Sequence, residues 1–413
     1  MDNPASGRIL RIMNTDTDIA IVGGGLNGPT LAIALEQRGL NVTVIDALPA
    51  PKRGMRDFDG RSYALAHASM RLLRGIDLWD AIKDYTQPML EIKVTDGRAG
   101  TGPSPWMMHF DHTEIEEGPM GYMCQDRHLR QALLSKMDGA ARITQMSGET
   151  VVAQSSGQLT LASGKTVTAK LIVGADGRAS GTAERAGIKR TGWGYGQTAI
   201  VCAVEHELPH GGIAHQFFMP TGPLAILPLP NNCCSIVWSE TETRATKIMA
   251  IDDTDFLDAL RPAFGSFLGE LTLVGKRFSY PLGLTIANRF IADRVVLIGD
   301  AAHGVHPIAG QGLNAGLRDV AALVDVLSDA KARGEDIASA AVLARYEQWR
   351  RFDTATLAAA TDTFNKLFSN DNPLLRAVRD MGMGVINATP RLRRTFIREA
   401  AGLTGDLPSL MRS

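Results

Sequence analysis

The chain has 413 residues, a length that predicts two domains because single hydrophobic cores rarely extend beyond about 250–300 residues. Its composition is 45% hydrophobic and 21% charged, with a formal net charge of -1, which is typical of a globular enzyme and gives no indication of a nucleic-acid partner. No apolar run reaches the ~18 residues that a membrane-spanning helix needs, and residues 1–17 lack the apolar centre of a signal peptide, so we expect a cytoplasmic protein.

The first predicted elements are a strand, a glycine turn, a helix and a second strand. Residues 18–22 are an apolar run suited to a buried parallel strand. Residues 23–28 read Gly-Gly-Gly-Leu-Asn-Gly and fit the pattern G-x-G-x-x-G. Apolar positions over 29–38, with Gly39 behind them, predict a helix, and residues 41–46 predict a strand that ends in an acid. This order of elements is the context in which the pattern indicates a dinucleotide-binding unit.

The glycines of this turn have separate predicted roles. Gly23 is expected to make the tight turn, Gly25 to let the backbone approach a pyrophosphate, and Gly28 to let the helix pack closely on the sheet. The N–H groups at the helix start would face the phosphates, and Asp46 is expected to bind ribose hydroxyls. The turn by itself does not distinguish NAD from FAD.

Two later segments favour FAD. Residues 171–180 form an apolar strand that breaks at Asp176, and residues 295–319 contain another buried strand that ends at Gly299 and Asp300. An acid at a strand end is suited to hold a ribitol hydroxyl.

The loop after the last of these strands is suited to a flat ring. Residues 307–312 carry little side-chain bulk, so the ring can lie against their backbone. The helix that begins near Leu313 would point its positive end at the ring and stabilise an anionic reduced flavin. No second strand-bound G-x-G-x-x-G is present in the sequence, so NAD(P)H is expected to bind transiently as the reductant.

These segments resemble the FAD fingerprints of the class A flavoprotein monooxygenases, the para-hydroxybenzoate hydroxylase-like group. Residues 299–319, GDAAHGVHPIAGQGLNAGLRD, resemble more narrowly the ubiquinone-biosynthesis hydroxylases, and matches in family order extend from about residue 18 to residue 368. The resemblance implies an α/β fold, with a Rossmann-like FAD-binding domain, an inserted and mostly antiparallel β-sheet substrate domain, and a C-terminal helical region. The expected boundaries are 1–75, 121–180 and 290–345 for the FAD domain, 76–120 and 181–289 for the substrate domain, and 346–413 for the helical region.

The resemblance also implies the cofactor contacts. It assigns the ADP half to the first glycine turn and Asp46, and the ring to the last glycine loop. Arg61 and Gln125 are implied to contact the phosphates and the ribityl chain, and Asp300 the ribityl chain. Asp176 is implied to lie near both the flavin and the NAD(P)H path. The complete implied set is Gly23, Gly25, Leu26, Asn27, Gly28, Asp46, Arg61, Gln125, Asp176, Gly299, Asp300, Pro307, Gly310, Gly312, Leu313 and Asn314.

One segment departs from the family pattern. The family carries Ser four residues and Arg seven residues after the Asp of the Asp-Gly segment. Ser180 is in place, but Ala183 stands at the Arg position and Arg185 comes two residues late. Either the helix after Asp176 is shifted or the contact of the family arginine is lost. This difference concerns the binding of NAD(P)H more than that of FAD.

Metal and nucleophile chemistry are disfavoured. The four cysteines form no Cys-x-x-Cys pair and are interpreted as small buried hydrophobes. Asp300, His303 and His306 have a spacing that metal ligands could use, but the flavin segment explains them better, so no metal is expected. A base role for either histidine is a less favoured alternative. No nucleophile elbow accompanies any Ser-His or Cys-His pair.

The substrate half is rich in β-sheet patterns. Residues 199–204, 225–229 and 235–238 are interpreted as one antiparallel sheet lying over the flavin, with its face forming the ring pocket. Plain core packing is at least an equal alternative for each pocket candidate. Pro307 and His215 are the pocket residues considered for catalysis. The candidates on the sheet are His215, Phe217, Phe218, Leu227, Pro228 and Trp238.

The C-terminal tail has an apolar helical face followed by arginines. The apolar face comprises Leu374, Leu375, Val378, Met381, Val385 and Ile386, and the arginines are Arg391, Arg393, Arg394 and Arg398. A core helix with a solvated basic end is favoured. The alternative is a helix that contacts the inner membrane face or a biosynthetic complex.

The predicted function is hydroxylation of an aromatic ring with FAD, O2 and NAD(P)H through a flavin C4a-hydroperoxide. The resemblance implies a polyprenylated phenol of ubiquinone biosynthesis as substrate. The alternatives are a hydroxylase of a small aromatic acid, an FAD-dependent reductase on the same fold, and a flavin-binding scaffold subunit. A compact charged pocket would favour the first alternative, and a long apolar channel would favour the prenylated substrate.

Overall fold

The computed structural model describes residues 14–54, 57–98, 102–305, 310–368, 382 and 384–412. Two large sheets, one small sheet and the helices around them confirm the predicted α/β class with an inserted, mostly antiparallel sheet. The described strands are β1 (Asn14–Val22), β2 (Val42–Asp46), β3 (Ser62–Ala66), β4 (Thr86–Met89), β5 (Glu91–Arg98), β6 (Gly102–Asp111), β7 (Gly121–Gln125), β8 (Ile143–Ser147), β9 (Val151–Ser155), β10 (Gln158–Leu161), β11 (Thr166–Gly174), β12 (Arg190–His206), β13 (Ile213–Met219), β14 (Gly222–Leu229), β15 (Cys233–Thr241), β16 (Leu271–Ala287), β17 (Ile291–Ala292), β18 (Val295–Leu297) and β19 (His303–Gly304). The α-helices are α1 (Asn27–Glu36), α2 (Ala50–Arg53), α3 (His67–Gly75), α4 (Asp126–Asp138), α5 (Gly181–Arg185), α6 (Glu242–Ala250), α7 (Asp253–Phe264), α8 (Gln311–Ala332), α9 (Ala340–Phe368) and α10 (Pro390–Ala400).

The first sheet carries parallel strands at its centre. Its order among the described strands is β17-β18-β11-β1-β2-β8, with β10 beside β11 and β9 beside β10. The neighbouring pairs from β18 to β8 are parallel. Strand β1 is buried on both sides. Ile19 and Ile21 pack with residues of α1 and α8, and Ala20 packs on the other side with Leu159 of β10, which accounts for the continuous apolar run. The carboxyl ends of β18, β11, β1 and β2 therefore lie at one edge, called here the nucleotide edge.

The second sheet has two different faces. Its order among the described strands is β19-β16-β12-β15-β14-β13-β5-β6, and of its pairs β13·β5 is parallel while the others are antiparallel. Successive side chains of a strand point to opposite sides. On the outer face, Ile236 and Trp238 pack with residues of α6 and α7. On the inner face, Ala203 packs with Met89 and Met123 of the small sheet β3-β7-β4.

The C-terminal helices pack against both large sheets. The hydroxyl of Tyr346 in α9 donates to the carbonyl oxygen of Leu297 at the end of β18, at 2.9 Å. The ring of Phe396 in α10 lies 6.3 Å from that of Phe110 in β6, between centroids. No helix among the described residues is both long and apolar enough to cross a bilayer. The predicted apolar positions Leu374, Leu375, Val378 and Met381 lie outside the described residues, and the domain boundaries stay a prediction.

Candidate cofactor and substrate site

The nucleotide edge brings together the acids and the glycine turn that the sequence singled out. Val22 at the end of β1 pairs with Gly174 of β11 and with Ile45 of β2, and Gly174 pairs with Leu297 of β18. The turns that follow these four strands therefore begin side by side. The glycine turn at 23–28 follows β1, Asp46 ends β2, and Asp176 and Asp300 come just after β11 and β18.

The glycines of the first turn differ in the space around them. Gly23 has a φ of +116°, and a Cβ built on it would lie 2.3 Å from the carbonyl oxygen of Ala175. A Cβ on Gly28 would lie 2.0 Å from the carbonyl oxygen of Gly23, so helix α1 packs directly on the turn. A Cβ on Gly25 would meet nothing within 4 Å. Two glycines are thus needed for packing, while the third leaves open space beside its backbone.

Asp46 faces this turn from the neighbouring strand. One of its oxygens accepts a hydrogen bond from the backbone N–H of Gly24 at 2.5 Å, and the other accepts from Leu48 at 2.7 Å. The carboxylate is partly exposed and lies next to the turn that the sequence assigned to a pyrophosphate. This position is compatible with its predicted ribose contact.

Asp176 is engaged by its own loop. It accepts hydrogen bonds from the Ser180 hydroxyl at 2.5 Å and from both the backbone N–H and the hydroxyl of Thr182 at 2.9 Å. These bonds hold the start of α5. The guanidinium of Arg185 lies beside Gly181, where a Cβ built on that glycine would be 2.6 Å from it. The role of Asp176 in an NAD(P)H path stays a prediction.

Asp300 has a partner that the sequence reading missed. Its carboxylate lies 3.3 Å from Nε of Arg178, and both side chains are partly exposed, at 39% and 44%. The Arg178 guanidinium also lies 5.9 Å from the ring centroid of Tyr280. The pair joins the turns after β11 and β18. Arg178 stands next to Gly177 of the Asp-Gly segment, but nothing in its local sequence pointed to Asp300.

The start of α8 is fixed by Asn314. The side-chain nitrogen of Asn314 donates to the carbonyl oxygens of Ala64 and Gly310, and its oxygen accepts from the Ala66 N–H at 2.9 Å and the Ser69 hydroxyl at 2.8 Å. Because these four hydrogen bonds occupy the Asn314 amide, the residue could contact a flavin ring only through its backbone.

The helix itself begins at Gln311, two residues before the predicted start. Gly310, just before it, is left-handed with a φ of +65°. A Cβ on Gly312 would meet nothing within 4 Å. Pro307 and His306 lie outside the described residues.

Arg61 immediately precedes β3 and Gln125 ends β7, and the two residues are close because Ser62 pairs with Gln125. The guanidinium of Arg61 pairs with Asp59 at 2.7 Å and lies 5.6 Å from the ring centroid of Phe278 on the second sheet. Burial opposes the charge on Asp59, but the hydrogen bonds from Arg61 outweigh it and lower the pKa of that carboxyl. Strand β3, which follows Arg61, is hydrogen-bonded to Asn314 at the start of α8 through Ala64 and Ala66, so this segment lies between the inner face and the start of α8.

These residues fit an FAD molecule. Open space adjoins the backbone of Gly25 and Gly312 near the starts of two helices, where N–H groups favour anions and a negatively charged ring. Asn27 at the first helix start has a buried side-chain oxygen with no hydrogen-bond partner among the described residues. Asp46 and Asp300 remain partly exposed at the same edge. The described residues hold no cluster of three or more His, Cys, Asp or Glu suited to a metal. All four cysteines are free and buried, in agreement with their interpretation as small buried hydrophobes.

The structure places His215 on the outer face of the second sheet and not on the inner face. Its ring lies 4.6 Å from that of Phe267 and 5.7 Å from that of Phe217, between centroids, on the outer face that α7 covers. Burial lowers the pKa of His215 to about 4. Phe217 and Trp238 pack in the same outer cluster, and Pro228 alternates with the inner-face Leu227 and Leu229. Of the sheet candidates, Leu227 and Phe218 lie on the inner side.

An inner-face row offers a different surface for a substrate. Cross-strand pairing places Phe278, Val201, Val237, Ala225 and Gln216 side by side, a set called here the inner row. All except Val201 are partly exposed although they occupy central strands. The inner row is thus incompletely covered by protein, and Arg61 contacts it at Phe278.

Comparison with protein families and curated proteins gives consistent matches. The model of the FAD binding domain family matches residues 16–360. The chain is 43% identical to the ubiquinone hydroxylase UbiL of Rhodospirillum rubrum, over 99% of this chain and 95% of the relative. It is 35% identical to the 3-demethoxyubiquinol 3-hydroxylase of Escherichia coli, over 94% of this chain and 100% of the relative.

A solved structure shares the fold. The p-nitrophenol 4-monooxygenase PnpA of Pseudomonas putida superposes with a TM-score of 0.78 at 19% identity. The superposition covers 95% of this chain and 99% of that one. At this identity the likeness concerns the fold.

Proposed function

The chain belongs to the FAD-binding domain family and is an FAD-dependent aromatic-ring hydroxylase, and we propose that its substrate is a polyprenylated phenol of ubiquinone biosynthesis. The observation that carries the proposal is the connection of two surfaces through β3, since Asn314 at the start of α8 binds Ala64 and Ala66 of this strand and Arg61, just before it, contacts Phe278. One is the nucleotide edge, where the Gly23–Gly28 turn meets Asp46 and Asp300. The other is the apolar inner row of the second sheet.

The described residues have separate tasks at the nucleotide edge. The backbone around Gly25 and the N–H groups at the start of α1 would bind the pyrophosphate of FAD, with Asp46 on the adenosine ribose. Asp300 would hold the ribityl chain, and the start of α8 would place its positive end beneath the ring. When bound, FAD accepts electrons from NAD(P)H and activates O2 for transfer of one oxygen atom. The protein orients the aromatic ring and excludes water.

The inner row supports a hydrophobic substrate over a small aromatic acid. It contains four apolar residues and one amide, and none of its side chains ionises. A small acid would need a cation that is free to pair with it. Arg61, which stacks on the row at Phe278, is already paired with Asp59 at 2.7 Å. A carboxylate ligand would have to displace that partner.

Peripheral contact with an anionic membrane surface through α10 is a further part of this proposal. Two of the four tail arginines have protein partners, since Arg393 pairs with Glu114 and Arg398 with Glu117. Arg391 and Arg394 are exposed beside Leu392, itself 43% exposed. Basic residues flanking an exposed apolar side chain suit anionic lipid. Vesicle flotation tests this, because retention should require anionic lipid and decrease when both exposed arginines are changed to Gln.

Deleting the coding gene tests the proposed substrate. Cells without the protein should accumulate a prenylated ring precursor that lacks one hydroxyl group, and expression of the intact chain should remove it. An unchanged quinone profile would contradict the proposed substrate. In parallel, the purified protein should oxidise NAD(P)H faster with a prenylated phenol than with a salicylate-like acid, and the reverse preference would favour the small-acid hydroxylase.

A further inference from the structure

A buried charged cluster lies directly behind the nucleotide edge. Asp319 in α8 accepts hydrogen bonds from the backbone N–H of Gly299 at 2.8 Å, from Nε2 of His303 at 2.6 Å and from Nε of Arg350 at 2.7 Å. The side chains of Asp319 and His303 are fully buried, and that of Arg350 is 2% exposed. Three donors from three different segments therefore converge on one carboxylate.

Each of the three donors belongs to a segment that borders the cofactor site or supports it. Gly299 precedes Asp300 in the turn after β18, and His303 begins β19. Arg350 lies on α9, the helix that also binds the end of β18 through Tyr346. Asp319 itself lies seven residues after Gly312, about two helical turns behind the open start of α8.

The side chain of Asn27, at the start of α1, lies against both the Gly299 turn and α8. A Cβ built on Gly299 or on Gly316 would lie 2.3 Å from the side-chain nitrogen of Asn27. The start of α1, the Gly299 turn and α8 are thus in close contact, so a shift of one of them moves the others.

We propose that Asp319 is a positioning residue of the cofactor site, which with His303 and Arg350 holds the Gly299–Asp300 turn at a fixed distance from the start of α8. These two backbone segments are the ones assigned to the ribityl chain and to the ring, so this inference rests on the FAD site proposed above. Asp319 acts on the cofactor through the Gly299 N–H and through α8.

A role in stability alone explains this cluster less well. Burying an ion pair costs desolvation that its attraction often only offsets, and apolar side chains of similar volume frequently serve folding equally well. Burial opposes the charge on Asp319, but His303 and Arg350 outweigh it and hold the pKa of the carboxyl below its usual value. Apolar side chains, however, would leave the Gly299 N–H without an acceptor.

The main test is Asp319→Asn, with Asp353→Asn as the matched control. The Asn amide keeps the shape of the side chain but presents an N–H group to one of the buried donors. Asp353 also pairs with Arg350, at 2.7 Å, but it is 26% exposed and has no hydrogen bond to the turn. FAD affinity is measured by titrating the apoprotein, and the visible spectrum and midpoint potential are measured on the flavin-loaded protein.

Asp319→Asn should weaken FAD binding at least about tenfold and shift both the spectrum and the potential, since a buried donor loses its acceptor. Asp353→Asn should stay within about twofold of the wild type, as expected for a variant that leaves the turn intact. If the two variants lose affinity in proportion to their loss of melting temperature, with an unchanged potential, the cluster serves stability and the inference is overturned. A wild type that binds no FAD would instead refute the proposed function.

Two His303 variants keep the inference testable if Asp319→Asn does not fold. Gln places a neutral N–H donor near the position of Nε2, whereas Leu has none. His303→Gln should therefore retain FAD affinity and potential, while His303→Leu should lose them as Asp319→Asn would. Equal behaviour of the Gln and Leu variants would overturn the inference.

Discussion

Gly25→Ala is expected to separate cofactor binding from folding. A Cβ at this position meets nothing within 4 Å, and the backbone there is not left-handed, so the apoprotein should accommodate alanine. A Gly-to-Ala change at a compatible site alters stability by only about 0.4–1 kcal/mol, usually upward. The melting temperature of the apoprotein should therefore be retained or rise slightly.

FAD binding by the same variant should fall, because the added methyl group occupies the space through which the pyrophosphate approaches the backbone. Losing one hydrogen bond to a charged group costs about 1.5–3 kcal/mol. That cost corresponds to a dissociation constant about 10- to 150-fold higher. Flavin fluorescence quenching during titration of the apoprotein measures it.

Gly194→Ala is the matched control, since it too has open space around its Cβ, lacks a left-handed backbone and lies in β12 of the second sheet. It should bind FAD as the wild type does. If Gly25→Ala keeps wild-type affinity, the pyrophosphate does not lie against this turn and the reasoning is refuted.

Three other changes have separate expected results. Asp300→Ala should weaken FAD binding at least about tenfold, because it removes the ribityl contact. It should change the stability of the apoprotein by less than about 1 kcal/mol, because the pair with Arg178 is partly exposed. Tight flavin binding by this variant would contradict the prediction. Val237→Asp should raise the KM for a prenylated phenol at least about tenfold by placing a charge in the inner row, whereas Trp238→Phe on the outer face should lower the melting temperature and leave KM unchanged. His215, with its pKa lowered from 6.5 to about 4 by burial, binds protons more readily in the unfolded chain, so stability should fall as pH falls from about 6.5 toward 4. His215→Phe should therefore lose less melting temperature than the wild type as the pH falls. An unchanged pH dependence would contradict the conclusion that burial lowers the pKa of His215.

Local sequence signals were sufficient to predict the nucleotide edge. A buried apolar run followed by a glycine turn or an acid defines a parallel strand and its carboxyl end without knowledge of any partner. Because such ends meet at one edge, the convergence of Gly23, Asp46, Asp176 and Asp300 follows from four short segments. The start of α8 was misplaced by only two residues.

The faces of the second sheet could not be predicted in this way. Alternation in β13 to β15 separates two sides, but both are largely apolar, so the pattern does not indicate which side faces the cofactor. Trp238 is a core residue on the side covered by α6 and α7, and the half-buried His215 lies on the same side against Phe267. Only the packing of the small sheet against Ala203 identifies the inner face.

The long-range ion pairs could not be predicted from the sequence either. Arg178 and Asp300 are 122 residues apart, and Arg350 reaches Asp319 from another helix. No periodicity or motif links such positions, because their proximity depends on how the sheet and helices assemble. The missing family arginine at Ala183 drew attention to Arg185, whereas the exposed cation near Asp300 is Arg178.

Oxygen incorporation tests the central claim most directly. The flavin-loaded protein would be given NAD(P)H, a prenylated phenol and isotopically heavy O2, and the product analysed by mass spectrometry. The account predicts a product that gains one heavy oxygen atom on its ring, at a rate that is lower in Gly25→Ala and is restored by added FAD. Consumption of NAD(P)H with no heavy oxygen in the product would contradict hydroxylation, and the absence of O2 consumption as well would indicate a reductase on the same fold.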